Sequence, residues 1–255
     1  MEIFTLGEER RLKYCRDFLS EAFDEPYRLL VLPIPSTKNN IHVKGTEITL
    51  ADALGELSEG DAVAGYGLPE SIREELTLRS VRVFDGAMCE PFLADNADLT
   101  VHGALAAILG SGEKSPADMK IGIIGYGRIG SRLLRALLFL GAKVILFTRS
   151  EESRSALGKE GVETAPFVYD GDYTDLDILV NTAPTKIMSE EVMRKCEEAG
   201  VKILDLASGE CFPPSVSLNK MASVPEKLYP RSGGRLYAEY IKRFLMGEEK
   251  CSDTQ

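Results

Sequence analysis

Lys120-Ile-Gly-Ile-Ile-Gly125-Tyr-Gly127-Arg-Ile-Gly130 runs into Ser131-Arg-Leu-Leu-Arg-Ala-Leu-Leu-Phe-Leu140 and then Gly141-Ala-Lys-Val-Ile-Leu-Phe147. An apolar run of strand length enters a turn with glycines at three fixed offsets. An amphipathic helical pattern follows, Gly141 stands where a helix C-cap belongs, and a second apolar run begins. A bare GxGxxG arises often by chance, but one framed by strand, helix and second strand is the fingerprint of a dinucleotide-binding βαβ unit. Each glycine serves a different purpose. Gly125 makes the tight turn, Gly127 lets backbone approach a pyrophosphate, and Gly130 lets helix and strand pack closely. The N–H groups and dipole of the helix start then favour phosphate. Gly125, Tyr126, Gly127, Arg128, Ile129 and Gly130 are therefore the expected cofactor contacts, with Tyr126 and Arg128 flanking it.

The end of the second strand selects the cofactor. Sites that prefer NAD place Asp or Glu there for the ribose 2′-hydroxyl. This chain has Thr148-Arg149-Ser150 instead. A guanidinium beside hydroxyls suits a 2′-phosphate, so NADP is expected, with NAD as the alternative. The plain reading of Arg149 is a solvated strand-end cation. Glu151 and Glu152 fit the first turn of a helix.

Outward from this unit, apolar runs alternate with helical patterns, the mark of an α/β fold with parallel sheets. Upstream the pattern predicts strands at 2–6, 28–34, 62–66 and 81–84, and helices at 8–23 and 69–78, with Pro69 in a first turn. Downstream it predicts strands at 120–124, 143–147, 177–181 and 201–206. Helices are expected at 128–140, 151–159, 189–199 and about 234–246. The fold class is two doubly wound parallel-sheet domains, the second a Rossmann dinucleotide-binding domain. The expected division is 1–95 for substrate or partner, 96–118 as linking helix and loop, 119–230 for the cofactor, and 231–255 as a helix packing back, ending in a polar tail.

Composition narrows the partners. Net charge is −10, with 44% hydrophobic and 27% charged residues. That balance argues against a nucleic-acid or anionic-membrane surface, which needs clustered Lys and Arg. Cys15, Cys89, Cys196, Cys211 and Cys251 are scattered singly. No disulfide framework or metal site is expected from them, and a reducing cytoplasm fits. No signal peptide or spanning segment is expected.

Further candidates close later strands. Asn181, Thr182, Ala183 and Pro184 end one, and Asp205, Leu206, Ala207 and Ser208 end the next, where an open sheet lines its ligand crevice. Asn181 to Pro184 and Ala207 are candidate cofactor contacts. Pro184 could equally be a plain strand terminator, and Asp205 a satisfied buried carboxylate. His102 and Asp205 are the candidate bases. His102 titrates near neutrality, yet its apolar helical setting equally fits a partly buried, satisfied histidine.

Taken together, Asn96 to Leu109, the glycine fingerprint, Thr148-Arg-Ser150, Val180-Asn-Thr-Ala-Pro184 and Ile203-Leu-Asp-Leu-Ala-Ser208 resemble the A subunit of dipicolinate synthase. The likeness is continuous from about 96 to 208, with weaker echoes at Leu32-Pro-Ile-Pro-Ser-Thr37 and from Val224 to Gly234. The Rossmann part is also similar to D-2-hydroxyacid dehydrogenases. The resemblance implies NADP-dependent oxidation of a dihydrodipicolinate-type ring to the pyridine dicarboxylate, with a flavoprotein B subunit, in a spore-forming bacterium. Homo-oligomers are expected. Holding two carboxylates directs attention to Ser36, Thr37, Lys38 and Asn39 and to Arg231 in a late loop, with substrate in a cleft between the domains. For Lys38 and Arg231 the plain reading is a solvated surface charge. His102 stands where the family has an acidic residue, the N-terminal unit looks shortened, and the segments around Gly209-Glu-Cys-Phe-Pro-Pro214 and Pro230-Arg-Ser232 are rewritten. Two other readings remain: a non-catalytic NAD(P)-binding subunit or sensor, and a D-2-hydroxyacid-dehydrogenase-like enzyme. No histidine follows His102, which counts against the latter.

Overall fold

The computed structural model describes residues 2–21, 28–112, 114–212 and 219–248. They form two compact units, Met1–Leu99 with Pro225–Gln255, and Thr100–Val224.

The first unit contains β1 (Glu2–Thr5), α1 (Arg10–Ser20), β2 (Arg28–Val31), α2 (Leu50–Gly55), β3 (Ala62–Gly65), α3 (Glu70–Leu78) and β4 (Arg82–Asp85). The strands pair in the order β1-β2-β3-β4, all parallel. Period-2 alternation sorts their side chains onto two faces. Ile3, Leu29, Val31, Ala62, Ala64 and Phe84 pack with Leu12, Cys15 and Leu19 of α1. Leu30, Leu32 and Val63 pack with Leu50 and Leu54 of α2 and Leu76 of α3. All three crossovers step the same way across the sheet, yet α1 lies on one face and α2 and α3 on the other. The first crossover therefore has the opposite hand to the other two. Since parallel crossovers are right-handed in about 98% of cases, β1–α1–β2 is the exception. Phe4, on the side that α2 and α3 cover further along, is left 45% exposed.

Three further helices are α4 (Glu90–Leu109), α8 (Val224–Lys227) and α9 (Pro230–Leu245); α9 closes the first unit. Tyr237 and Ile241 of α9 join the α1 face. The helices meet at Gly234, where a Cβ would lie 2.6 Å from the Arg11 carbonyl oxygen. Only glycine allows that approach.

The second unit contains β5 (Lys120–Ile124), α5 (Arg128–Phe139), β6 (Lys143–Phe147), α6 (Glu151–Lys159), β7 (Glu163–Ala165), β8 (Ile178–Asn181), α7 (Glu190–Glu198), β9 (Lys202–Asp205) and β10 (Asn219–Lys220). The parallel sheet runs β10-β9-β8-β5-β6-β7. Chain order reverses between β5 and β8, which opens a crevice at their carboxyl ends. Val101, Ala104 and Ile108 of α4 and Leu133, Leu134 and Leu137 of α5 cover one face. Val192, Met193 and Cys196 of α7 cover the other, with Tyr173 and Leu179.

The doubly wound parallel class is as read, and β5, β6 and α6 have the predicted limits. Other details differ. The linking helix and loop expected at 96–118 contain the latter half of the helix α4, and the division between the compact units falls inside that helix, at Thr100, and not at 95/96. Pro69 is the N-cap of α3, not a first-turn residue. The last helix starts at Pro230, so Arg231 lies in its first turn and not in a loop. Helix α2 falls between the strands expected at 28–34 and 62–66, where the pattern predicts no helix, although Thr49-x-x-Asp52 is a capping signal and the Thr49 hydroxyl accepts from the Asp52 N–H. The readings at Pro213-Pro214, Cys251 and the end of the polar tail lie outside the described residues. Cys15, Cys89, Cys196 and Cys211 are buried and free. Among the described residues, no helix is long and apolar enough to cross a membrane and no group of three potential ligands could hold a metal.

Candidate functional site

The three fingerprint glycines differ sharply in their surroundings. Gly125 has φ +98°, a left-handed value that L side chains resist, and a Cβ there would meet Thr182 Oγ1 at 2.7 Å. At Gly130 a Cβ would fall 2.1 Å from the Gly125 carbonyl oxygen. These two are demanded by the fold. Around Gly127 nothing lies within 4 Å of where a Cβ would be. Gly127 is exposed and forms the N-cap of α5, where no side chain caps the helix and no acid stands in the first turn. An unfilled space at an uncapped helix start fits a pyrophosphate. Tyr126 packs partly against the core, and Arg128 and Ile129 sit on the first turn.

The crevice continues toward β6. A cavity of about 190 Å³ is lined by residues that include Gly125, Phe147, Thr148, Arg149, Phe167, Ala183 and Thr185. It joins the glycine turn to the strand end that selects the cofactor. Thr148 is buried, and its hydroxyl accepts from the Ser150 N–H at 3.3 Å. Ser150 caps α6 by accepting from the Ser153 N–H at 3.1 Å. Arg149 is exposed and lies over the Phe167 ring, 5.4 Å from its centroid. Among the described residues it makes no hydrogen bond or ion pair. Arg154, one turn into α6, donates to the Thr148 carbonyl at 2.6 Å. Sequence reasoning missed Phe167, which no motif marks, and Arg154, which the i,i+4 spacing from Ser150 could have flagged.

The β8 and β9 ends are more closed than their sequence suggests. Asn181 is fully buried; its Nδ2 donates to Asp205 Oδ1 at 2.8 Å and to the Ala183 carbonyl at 3.1 Å, and its Oδ1 accepts from the Ala183 N–H at 2.9 Å. Both amide atoms are thus occupied within the protein. Thr182 Oγ1 donates to the Ile124 carbonyl at 2.9 Å, tying β8 to the glycine turn. Pro184 is exposed and Ala207 buried. Asp205, 1% exposed, also accepts from the Ala207 N–H at 3.2 Å. Burial pushes its carboxyl above the usual range, and the Asn181 hydrogen bond opposes this. His102 sits on an exposed position of α4, contrary to the partly buried setting its apolar neighbours suggested.

The first unit holds the residues assigned to anions. Ser36 is fully buried, and its hydroxyl accepts from the Tyr66 N–H at 2.7 Å. Thr37 is buried and accepts from the Asn39 N–H at 3.2 Å; Asn39 Oδ1 accepts from the His42 N–H at 2.9 Å. Lys38 and Arg231 are exposed.

Comparison with known proteins bears on both halves of this geometry. Residues 106–212 match the family described as D-isomer specific 2-hydroxyacid dehydrogenase, NAD binding domain. No curated protein matches the chain. Among solved structures, the A chain of dipicolinate synthase from Bacillus subtilis superposes with a TM-score of 0.78 at 17% identity, covering 97% of this chain and 96% of that one. The corresponding protein from Bacillus halodurans gives 0.74 at 16% identity, with 96% and 97% covered. A transhydrogenase from Sinorhizobium meliloti gives 0.62 at 14%, with 97% and 95% covered. At such identities the likeness establishes the fold over nearly the whole chain. The domain match supports a nicotinamide-dinucleotide-dependent oxidoreductase, so the chain is an NAD(P)-binding Rossmann protein with the fold of the dipicolinate synthase A chain.

Proposed function

We propose that the protein is an NADP-dependent oxidoreductase acting on a dihydrodipicolinate-type ring, partnered by a flavoprotein B subunit. The observation that carries the cofactor choice is Arg149, a guanidinium with no hydrogen-bond or ion-pair partner among the described residues, at the rim of the cavity that begins at Gly125. In a chain of net charge −10, a strand-end cation free of acids is suited to a 2′-phosphate. The start of α5 at Gly127 would hold the pyrophosphate, and Phe147, Thr148 and Phe167 would border the adenosine. Bound NADP would supply the acceptor for a hydride. The chain's own residues bind, orient and exclude water; Asn181 and Asp205 brace the β8 and β9 ends through their mutual hydrogen bond. Lys38 and Arg231 are the exposed cations among the residues assigned to substrate carboxylates. A homo-oligomer is in keeping with Phe139, which is 91% exposed on α5. A cytoplasmic setting is in keeping with the four free, buried cysteines.

One observation favours the second reading, a non-catalytic cofactor-binding protein. Of the two candidate bases, Asp205 is sealed by Asn181 and Ala207, and His102 stands exposed on a helix. Titration calorimetry tests the cofactor assignment first. Wild type should bind NADPH more tightly than NADH, and Arg149→Ala should weaken NADPH alone, by about 1.5–3 kcal/mol. Equal affinities in the wild type would remove the NADP assignment. Turnover with a flavoprotein, a dihydrodipicolinate source and NADP, followed by pyridine absorbance, then separates the enzyme from the non-catalytic reading.

A further inference from the structure

Glu9, Arg11 and Lys44 gather near the carboxyl ends of β1 and β2, and no sequence motif announces them. The Glu9 carboxylate accepts from Arg11 Nη2 at 2.8 Å, from Arg11 Nε at 3.3 Å, from the Ile34 N–H at 3.3 Å and from Lys44 Nζ. The Ile34 carbonyl accepts from Lys44 Nζ at 2.7 Å and from Arg11 Nη2 at 3.4 Å. Side-chain exposure is 3% for Arg11, 8% for Glu9 and 18% for Lys44. Two cations therefore share one carboxylate in a largely water-excluded place, and a buried charge without a counter-charge is costly.

Among the described residues, Glu9 is the acid that forms ion pairs with Arg11 and Lys44. Asp85 is engaged by Arg73 and by the N–H groups of Gly67, Leu68 and Ala87. The start of α1 adds positive potential, because Glu9 is its N-cap, no side chain caps it and no acid stands in its first turn. Donors also remain. Arg11 Nη1 makes no hydrogen bond among the described residues, and because no buried side-chain nitrogen or oxygen there lacks a partner, this one nitrogen of an otherwise buried side chain faces solvent. Lys44 Nζ has three N–H groups and two partners.

The arrangement is pre-set by the surrounding loops. The Lys44 N–H donates to the Ser36 carbonyl at 2.9 Å, and Thr37 bridges Val43. Gly7, at φ +101°, passes so close that a Cβ would lie 3.1 Å from the Lys44 carbonyl oxygen. A preorganised pair of cations at the carboxyl ends of parallel strands is where an open α/β sheet takes its ligand.

We propose that this cluster is a carboxylate-binding site of the first unit. Arg11 Nη1 and the remaining Lys44 N–H receive the carboxylate of a small molecule, which supplies the missing negative charge. Glu9 holds both cations in position and does not contact the ligand. Lys38 and Arg231, the exposed cations, are outside this cluster. The proposal rests on the proposed function only in the choice of a pyridine dicarboxylate as probe.

Calorimetry of the full chain with pyridine-2,6-dicarboxylate, with and without NADPH, tests it, using the uncharged 2,6-dicarboxamide as control. The dicarboxylate should bind and the diamide should not. Lys44→Met leaves Glu9 paired with Arg11 and should weaken binding at least about tenfold, the scale of one charge-assisted contact. Arg11→Lys keeps the charge but loses the fork and should weaken it similarly, with thermal unfolding and NADPH affinity reporting intact folding. Dicarboxylate affinity unchanged in both variants, or no binding by wild type, overturns the site. If NADPH binds while the dicarboxylate does not, the site falls and the cofactor assignment stands; the reverse result has the opposite consequence.

Discussion

At the carboxyl end of β2 the polar side chains answer one another, whereas at the carboxyl end of β5 the chain leaves room. Ser36, Thr37 and Asn39 each take up a backbone N–H of their own loop or of its neighbour. Gly127 has nothing within 4 Å of its missing Cβ, and no side chain caps the helix it starts. Both segments contain residue types that bind anions. Only the second withholds internal partners, which is the physical condition for binding something else. In the first unit spare donors remain at Arg11 and Lys44 beside this loop, where the Lys44 N–H donates to the Ser36 carbonyl.

The largest effects should come from testing the glycines of the second unit against one another. Gly130→Ala puts a Cβ 2.1 Å from the Gly125 carbonyl oxygen. The helix must shift, and we expect a loss on the order of 4 kcal/mol, in the range reserved for severe strain. Gly127→Ala meets no protein atom and should change stability by less than about 0.5 kcal/mol. Its NADPH affinity should nevertheless fall. Urea unfolding of both variants, with calorimetry of the second, checks the contrast; equal stability losses would mean that Gly127 serves the fold as Gly130 does.

Next in size is Ser36→Ala, which bears on whether the first loop is structural. The fully buried hydroxyl accepts from the Tyr66 N–H. Its removal leaves that donor without its side-chain acceptor, at about 1–3 kcal/mol. A lower urea midpoint is the expected outcome. Undiminished stability with loss of substrate binding would return Ser36 to the binding role its sequence suggested.

The difference between the two regions also explains what could be read in advance. Strand limits at Lys120–Ile124 and Lys143–Phe147 and the helix Glu151–Lys159 follow from local periodicity and punctuation, which sequence carries directly. The glycine turn was legible because its backbone demands are local. The Glu9–Arg11–Lys44 cluster was not, because its members are brought together by β1, α1 and a loop bridge between Thr37 and Val43. Asn181 was read as a ligand contact because strand ends line crevices. Its inward hydrogen bonds to Asp205 and Ala183 depend on the pairing of β8 with β9, which no single segment encodes. The exceptional hand of the β1–α1–β2 crossover likewise comes from sheet order and helix face together.

The smallest expected effect lies in the contrast between two buried aspartates, one in each unit. Burial pushes Asp61 up, but hydrogen bonds from Ser58 and Arg28 outweigh it, and its carboxyl titrates below the usual 3.8. Burial also pushes Asp205 up, and there the Asn181 and Ala207 hydrogen bonds do not outweigh it, so it titrates above 3.8. The linkage signs are therefore opposite. A depressed value means that Asp61 contributes stability above the unfolded pKa, lost as pH falls through the folded one. A raised value means that Asp205 carries no ionisation penalty below the unfolded pKa and gains one as pH rises through the folded one. Asp61→Asn should therefore destabilise at neutral pH, and the loss should shrink as pH falls below 3.8. Asp205→Asn keeps an oxygen for Asn181 Nδ2, and its stability relative to wild type should improve as pH rises above 3.8. Urea midpoints of wild type and both variants across pH 3 to 8 measure the two slopes. Parallel slopes would mean that Asp205 is held ionised like Asp61, and its buried pair with Asn181 would then be a charged brace at the cofactor crevice.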